Sequence, residues 1–170
     1  LDRAKAREKL QKFQLVDAHR YVLELVQSAV LRGATAIAFD IDADDMHMRF
    51  DGAVFTADEL DDVWGSIFAD GDERPLRGVR QLALGLNAAL GTGPKRIVVR
   101  SGGLELRLVP GAEDQHLKVE PAIAGTTIHV VQRVKLRGIG LFFKNLVGQL
   151  AEEVHLIQRC VYAGPEVTLD

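Results

Sequence analysis

The strongest constraint in this sequence is a change of hydrophobic period at Gly33. Before it, Val22, Leu23, Leu25, Val26, Ala29 and Val30 supply a wide apolar face at helical spacing. Asp17 is a suitable N-cap for that helix and Gly33 a suitable stop. After Gly33 the chain alternates with period two over 36–41 and 46–50, two strands joined by the polar turn Asp42 to Asp45. A chain that makes this switch must bury one helix stripe against one face of a sheet.

The remaining segments extend the pattern. Leu1 to Phe13 is rich in Lys, Arg, Glu and Ala and predicts a helix. Thr56 and Glu59 form a capping box ahead of a helix predicted over 57–68. The stretch 69–77, with Gly71 and Pro75, reads as a loop, and 79–90 as a further helix ended by Gly91-Thr92-Gly93-Pro94. Strands follow at 96–100 and 104–109, joined at Gly102-Gly103, then at 117–119 and 126–131. Leu146, Leu150, Val154 and Ile157 mark a long helix over 141–161, and Pro165 opens a last strand at 167–169. This order predicts an α+β fold: a two-layer sandwich of one mixed, mostly antiparallel sheet with helices on one face. With 170 residues the chain suits a single domain spanning 1–170. Its start at Leu1 and its end inside a strand-like run read as a piece of a longer protein.

Composition narrows the function. A net charge of -3 gives no bulk basic field, so neither nucleic acid nor an anionic membrane is expected as a partner. No apolar run reaches the ~18 residues of a membrane span, and no signal peptide is visible. Cys160 is the sole cysteine, so it has no internal disulfide partner, and it reads as a small apolar side chain. The expected setting is reducing and cytoplasmic. The five histidines lack metal-ligand spacing. Asp40, Asp42, Asp44 and Asp51 fall on a calcium-loop template, but Asp45 stands where that loop needs glycine, so an acidic hairpin turn is the better reading. Arg133, Lys135 and Arg137 read as a solvated basic loop.

Four local signals have the residue types of a ligand site. Glu24, Ser28 and Leu31, at i, i+4 and i+7, share one helix face. Asp51-Gly52 follows a strand, where glycine lets backbone approach a neighbour closely. Gly78 to Gly85 lies at the start of a helix, where free N–H groups attract phosphate. Gly125-Thr126-Thr127 leads into a strand. Each signal alone is an ordinary turn or a half-exposed polar face.

Their order and spacing resemble the GHKL ATPases. Glu24-Leu25-Val26-Gln27-Ser28-Ala29 with Gly33-Ala34-Thr35 is similar to that family's helix E-L-x-x-N-A-x-D-A-G-A-T. Phe50-Asp51-Gly52-Ala53-Val54 stands at its D-D-G-x-G, followed by Thr56-Ala57-Asp58-Glu59-Leu60 at its T-x-E-E-L. Arg80 to Gly85 stands at G-x-x-G-x-G, and Gly125-Thr126-Thr127-Ile128 at its G-T strand. The closing helix and Pro165-Glu166-Val167 look most like the N-terminal domain of the ninety-kilodalton heat-shock chaperones; mismatch-repair ATPases and gyrase B subunits are the other candidates. The resemblance implies ATP and Mg²⁺ as cofactors. It implies Glu24 as the general base, Ser28 as the Mg²⁺ ligand, and Asp51, Gly52, Gly85 and Thr126 along the nucleotide.

The chain also departs from that pattern. Phe50 stands where an Asp accepts the adenine amino group, a charged hydrogen bond of roughly 1.5–3 kcal/mol. Asp51 replaces it only if a local bulge turns its side chain to the other face. Ser28 is shorter than the Asn it replaces and needs a bridging water or a shifted helix to ligate Mg²⁺. Val54, Arg80 and Ala83 replace glycines, Arg80 with the option of pairing with phosphate. The lid segment is short. Two readings follow. One is a degenerate, chaperone-like domain that binds ATP weakly or not at all and acts as a scaffold or interaction module for other domains of its chain, protein partners or clients. The other is a working ATP-binding domain, at most a weak ATPase that needs further domains.

Overall fold

A computed structural model describes residues 20–42, 45–132, 156, 160 and 164–169. The helix predicted from Asp17 is present as α1, Tyr21–Leu31, and Gly33 ends it with φ +79°. Asp17, the helix over 1–13, the basic run 133–137 and most of the helix over 141–161 lie outside the described residues. Strands β1 (Ala36–Ile41) and β2 (Asp45–Phe50) form the expected hairpin. Its turn is acidic, with the Asp45 N–H donating to Asp42 Oδ1 at 2.8 Å.

The capping box at Thr56 and Glu59 is complete, but the helix behind it is shorter than its pattern predicts. α2 covers Ala57–Asp61, and a 3₁₀ turn, Gly65–Ile67, follows. The break has a local cause: Asp62 accepts the Gly65 N–H with both its backbone oxygen and its carboxylate, and a side chain at Gly65 would run into that carboxylate. The third helix, α3 (Arg74–Gly91), starts earlier than expected because Pro75 fits within a first turn. Strands β3 (Arg96–Ser101), β4 (Leu104–Leu108), β5 (Gln115–Lys118), β6 (Thr126–Val131) and β7 (Glu166–Leu169) complete the described elements.

The strands form one sheet in the order β5-β4-β3-β6-β2-β1-β7. Every pairing is antiparallel except β1 with β7. Ile37, Phe39, Met48, Phe50, Ile97, Val99, Leu106 and Ile128 point from the sheet into one core. From the other layer come Leu25, Val26 and Ala29 of α1 and Leu82, Ala83 and Leu86 of α3, with Leu156 joining them. The fold is therefore the two-layer α+β sandwich that the pattern predicts, with the helices on one face. Cys160 packs partly buried against the same core, and burial pushes its thiol pKa up.

The outer face of the sheet is polar. Glu105 is almost fully buried there, clamped between Arg100 at 2.6 Å and Arg107 at 2.5 Å. His47 and His129 meet edge to face, with ring centres 5.2 Å apart. Among the described residues, no helix is long and apolar enough to cross a membrane.

Candidate functional site

The residues singled out by sequence fall around the junction of α1, α3 and the ends of β2 and β6, and most of them are engaged with the protein itself. Ser28 is fully buried and donates its hydroxyl hydrogen to the carbonyl oxygen of Gly78 at 2.8 Å. That bond fastens α1 to α3. Gly85 keeps the two helices close, because a Cβ there would lie 2.6 Å from Leu25 Cδ2. Glu24 sits half-buried on the same side of α1, and burial raises its carboxyl pKa above the ordinary 4.5, against a smaller lowering by Arg20.

Asp51 accepts from the Thr35 N–H at 2.7 Å, the Thr35 hydroxyl at 2.5 Å and the Ala36 N–H at 2.9 Å. These bonds hold its pKa below the ordinary 3.8, the Thr35 side chain first among them. It thus ties the end of β2 to the start of β1. Gly52, at φ +100°, brings backbone against the loop after α1: a Cβ there would lie 2.8 Å from the Arg32 carbonyl oxygen. Thr126 is buried, sharing a 2.8 Å hydrogen bond with Ser101 Oγ, which also accepts the Phe55 N–H at 2.8 Å. Phe50 is buried in the core.

The residue that organises this region is Arg32, which belongs to none of the four sequence signals. It stands where the GHKL helix pattern has the alanine before its glycine. Its guanidinium donates to both oxygens of Glu59, at 2.9 and 3.2 Å, and to the carbonyls of Ala53, at 3.1 Å, and Val54. It also lies 4.5 Å from the centre of the Phe55 ring. A guanidinium that stacks and makes a bidentate carboxylate pair has few donors left. Glu59 serves at once as this partner and as the capping-box acceptor for the Thr56 N–H, at 2.8 Å. The signal was present in the sequence: a long cation replaces a methyl beside the helix stop.

Two further arginines repeat the device. Arg80 donates to the carbonyls of Ser66 at 3.0 Å, Ala69 at 2.8 Å and Gly71 at 3.1 Å, pinning the short segment between the 3₁₀ turn and α3. Arg74 donates to Leu31 O at 3.0 Å and Val30 O at 2.9 Å, the last carbonyls of α1. Arg80 is thus spent on backbone oxygens, not aimed at a phosphate position.

A shallow depression of about 480 Å³ adjoins Asp51, Gly52, Gly125 and Thr126. Its side walls are Ala36, Ala38, Arg49 and Thr127, which alternate with the inward Ile37, Phe39, Phe50 and Thr126. It therefore opens on the outer face of the sheet, opposite Glu24 and Ser28. As arranged, the Ser28 hydroxyl faces a carbonyl in the core, and Phe50 presents no hydrogen-bond acceptor. No family model matches the chain, and no curated protein matches it at a significant level.

Proposed function

We propose that this is a GHKL-like domain whose nucleotide cleft has been closed from within, serving as a scaffold or interaction module of a longer, chaperone-like protein. The observation that carries this reading is the Arg32 clamp: one guanidinium, stacked on Phe55, joins α1 to Glu59 and to the Ala53 and Val54 carbonyls. Arg80 and the Ser28–Gly78 bond support it by fastening the lid segment and the two helices. Phe50 offers a ring where the resembled family has a purine-gripping carboxylate. The natural partners of such a module are other domains of the same chain and protein clients, and the single thiol suits a cytoplasmic setting.

One observation favours a second reading, a working ATP-binding domain with Glu24 as base and Ser28 toward Mg²⁺. Glu24 is a half-buried carboxyl with a raised pKa beside α3, the profile of a general base. Calorimetric titration with Mg²⁺ and ATP separates the two. The interaction-module reading expects no heat from the wild type. Micromolar binding by the wild type overturns it.

A further inference from the structure

The segment 51–73 carries eight acidic side chains and no Lys or Arg. Some of that charge is already answered. Glu59 holds Arg32 and Asp72 lies 3.5 Å from Arg77, while Asp61 lies 3.1 Å from His116 Nδ1, a pair of unlike charges only when the imidazole carries a proton. Asp58, Asp70 and Glu73 are exposed, and none of them has an ion-pair partner among the described residues.

Asp58 lies at the edge of an apolar groove, and Asp70 follows Ala69 of its floor in the chain. Phe68, Ala69, Leu76 and Val79 form its floor, Asp58 and Asp62 edge it from the α2 side, and its volume is about 350 Å³. That is room for one or two apolar anchors, not for a large cofactor. Arg80 fixes its wall by holding the Ser66, Ala69 and Gly71 carbonyls. The shape is therefore set before any partner arrives, which lowers the ordering cost of binding.

We infer that this groove docks a basic amphipathic segment of a protein partner, with one or two apolar side chains on the Phe68–Leu76 floor and Lys or Arg heads on Asp58 at its edge and on the exposed Asp70 next to Ala69. Charge complementarity selects the occupant. A nucleic acid or an anionic membrane meets exposed carboxylates here, Asp58 and Asp70 among them, and is repelled. Lys and Arg are doubly suited, because their aliphatic stems cover apolar surface while their heads reach the carboxylates. The inference rests on the interaction-module reading and names the partner class for it.

The test is fluorescence anisotropy of the full chain against three labelled synthetic helices: Leu with Lys at amphipathic spacing, Leu with Glu at the same spacing, and Ser with Lys. The expected result is binding of the Leu/Lys helix alone, weakening as salt rises. Asp58→Asn with Asp70→Asn weakens it about fivefold or more, the scale of two exposed ion pairs. Leu76→Ala weakens it without changing the salt slope. Equal binding of the Leu/Lys and Ser/Lys helices means diffuse charge attraction and overturns the groove. So does unchanged affinity in both variants, or no binding of the Leu/Lys helix. Thermal melts confirm that each variant is folded. Adding Mg²⁺ and ATP to the same samples keeps the two proposals distinct: nucleotide binding by the wild type overturns the module reading, while loss of the peptide signal alone overturns only the groove.

Discussion

Ser28 donates to the Gly78 carbonyl across 2.8 Å in a fully buried contact between α1 and α3. The hydroxyl therefore works as a bolt between helices. Ser28→Ala should cost about 1 kcal/mol in urea unfolding, the net worth of one neutral hydrogen bond. Ser28→Asn, which restores the amide of the resembled motif, should cost about 1–3 kcal/mol through overpacking. A neutral or stabilising Asn would show that space for a ligand group exists beside α3.

Arg32→Ala should be the more damaging change. It leaves the Glu59 carboxylate, 22% exposed, without its cation and frees two carbonyls. The expected loss is about 2–4 kcal/mol by denaturant titration, below the full cost of breaking a buried ion pair because Glu59 keeps some water. Arg32→Lys should recover little, since an ammonium cannot reproduce the bidentate pair and the Phe55 stack.

Glu24 should make the fold less stable as pH rises. Its folded carboxyl titrates above 4.5 through burial, so the folded state binds the proton more tightly than the unfolded chain does. Stability is highest below the ordinary value and falls as pH climbs through the raised one. Glu24→Gln should therefore raise the melting temperature at neutral pH and leave it nearly unchanged in acid. Carbon-detected NMR titration of the Glu24 carboxyl would check the direction independently.

Glu105 has the opposite sign. Burial alone would raise its pKa, but the bonds from Arg100 and Arg107 outweigh that and hold it below 4.5. Its contribution is present above the ordinary value and is lost as pH falls through the lowered one. Glu105→Gln should cost about 1–2 kcal/mol at neutral pH, discounted for the half-exposed arginines. The gap to wild type should close on acidification.

Gly125→Ala should cost more than about 3 kcal/mol, as left-handed backbone strain adds to steric overlap. Gly125 has φ +75°, and a Cβ there would overlap the Phe50 carbonyl oxygen. Thermal melting or soluble yield would report the loss.

The sequence made the layers legible because period and capping are local. The Gly33 switch, the Thr56–Glu59 box and the strand alternation each act within a few residues, and each appears where its pattern predicts. The early start of α3 was a local matter too: Pro75 looks like a loop marker until its tolerance in a first turn is weighed. The candidate site was legible only as residue types in order. Their engagement was not, because it depends on where long side chains end. Arg32 reaches partners 21 to 27 positions away, and Arg80 reaches carbonyls 9 to 14 positions back. Motif spacing carries no information about such reach.

Arg80 has one more effect on the behaviour of the molecule. A protease needs a stretch of main chain pulled free to cut it, and residues 66–71 are held by three carbonyl bonds to a single guanidinium. All three depend on one side chain, so cleavage beside Asp70 is expected to quicken in Arg80→Ala. What looks from outside like a surface loop is thereby tethered to the helix that follows it.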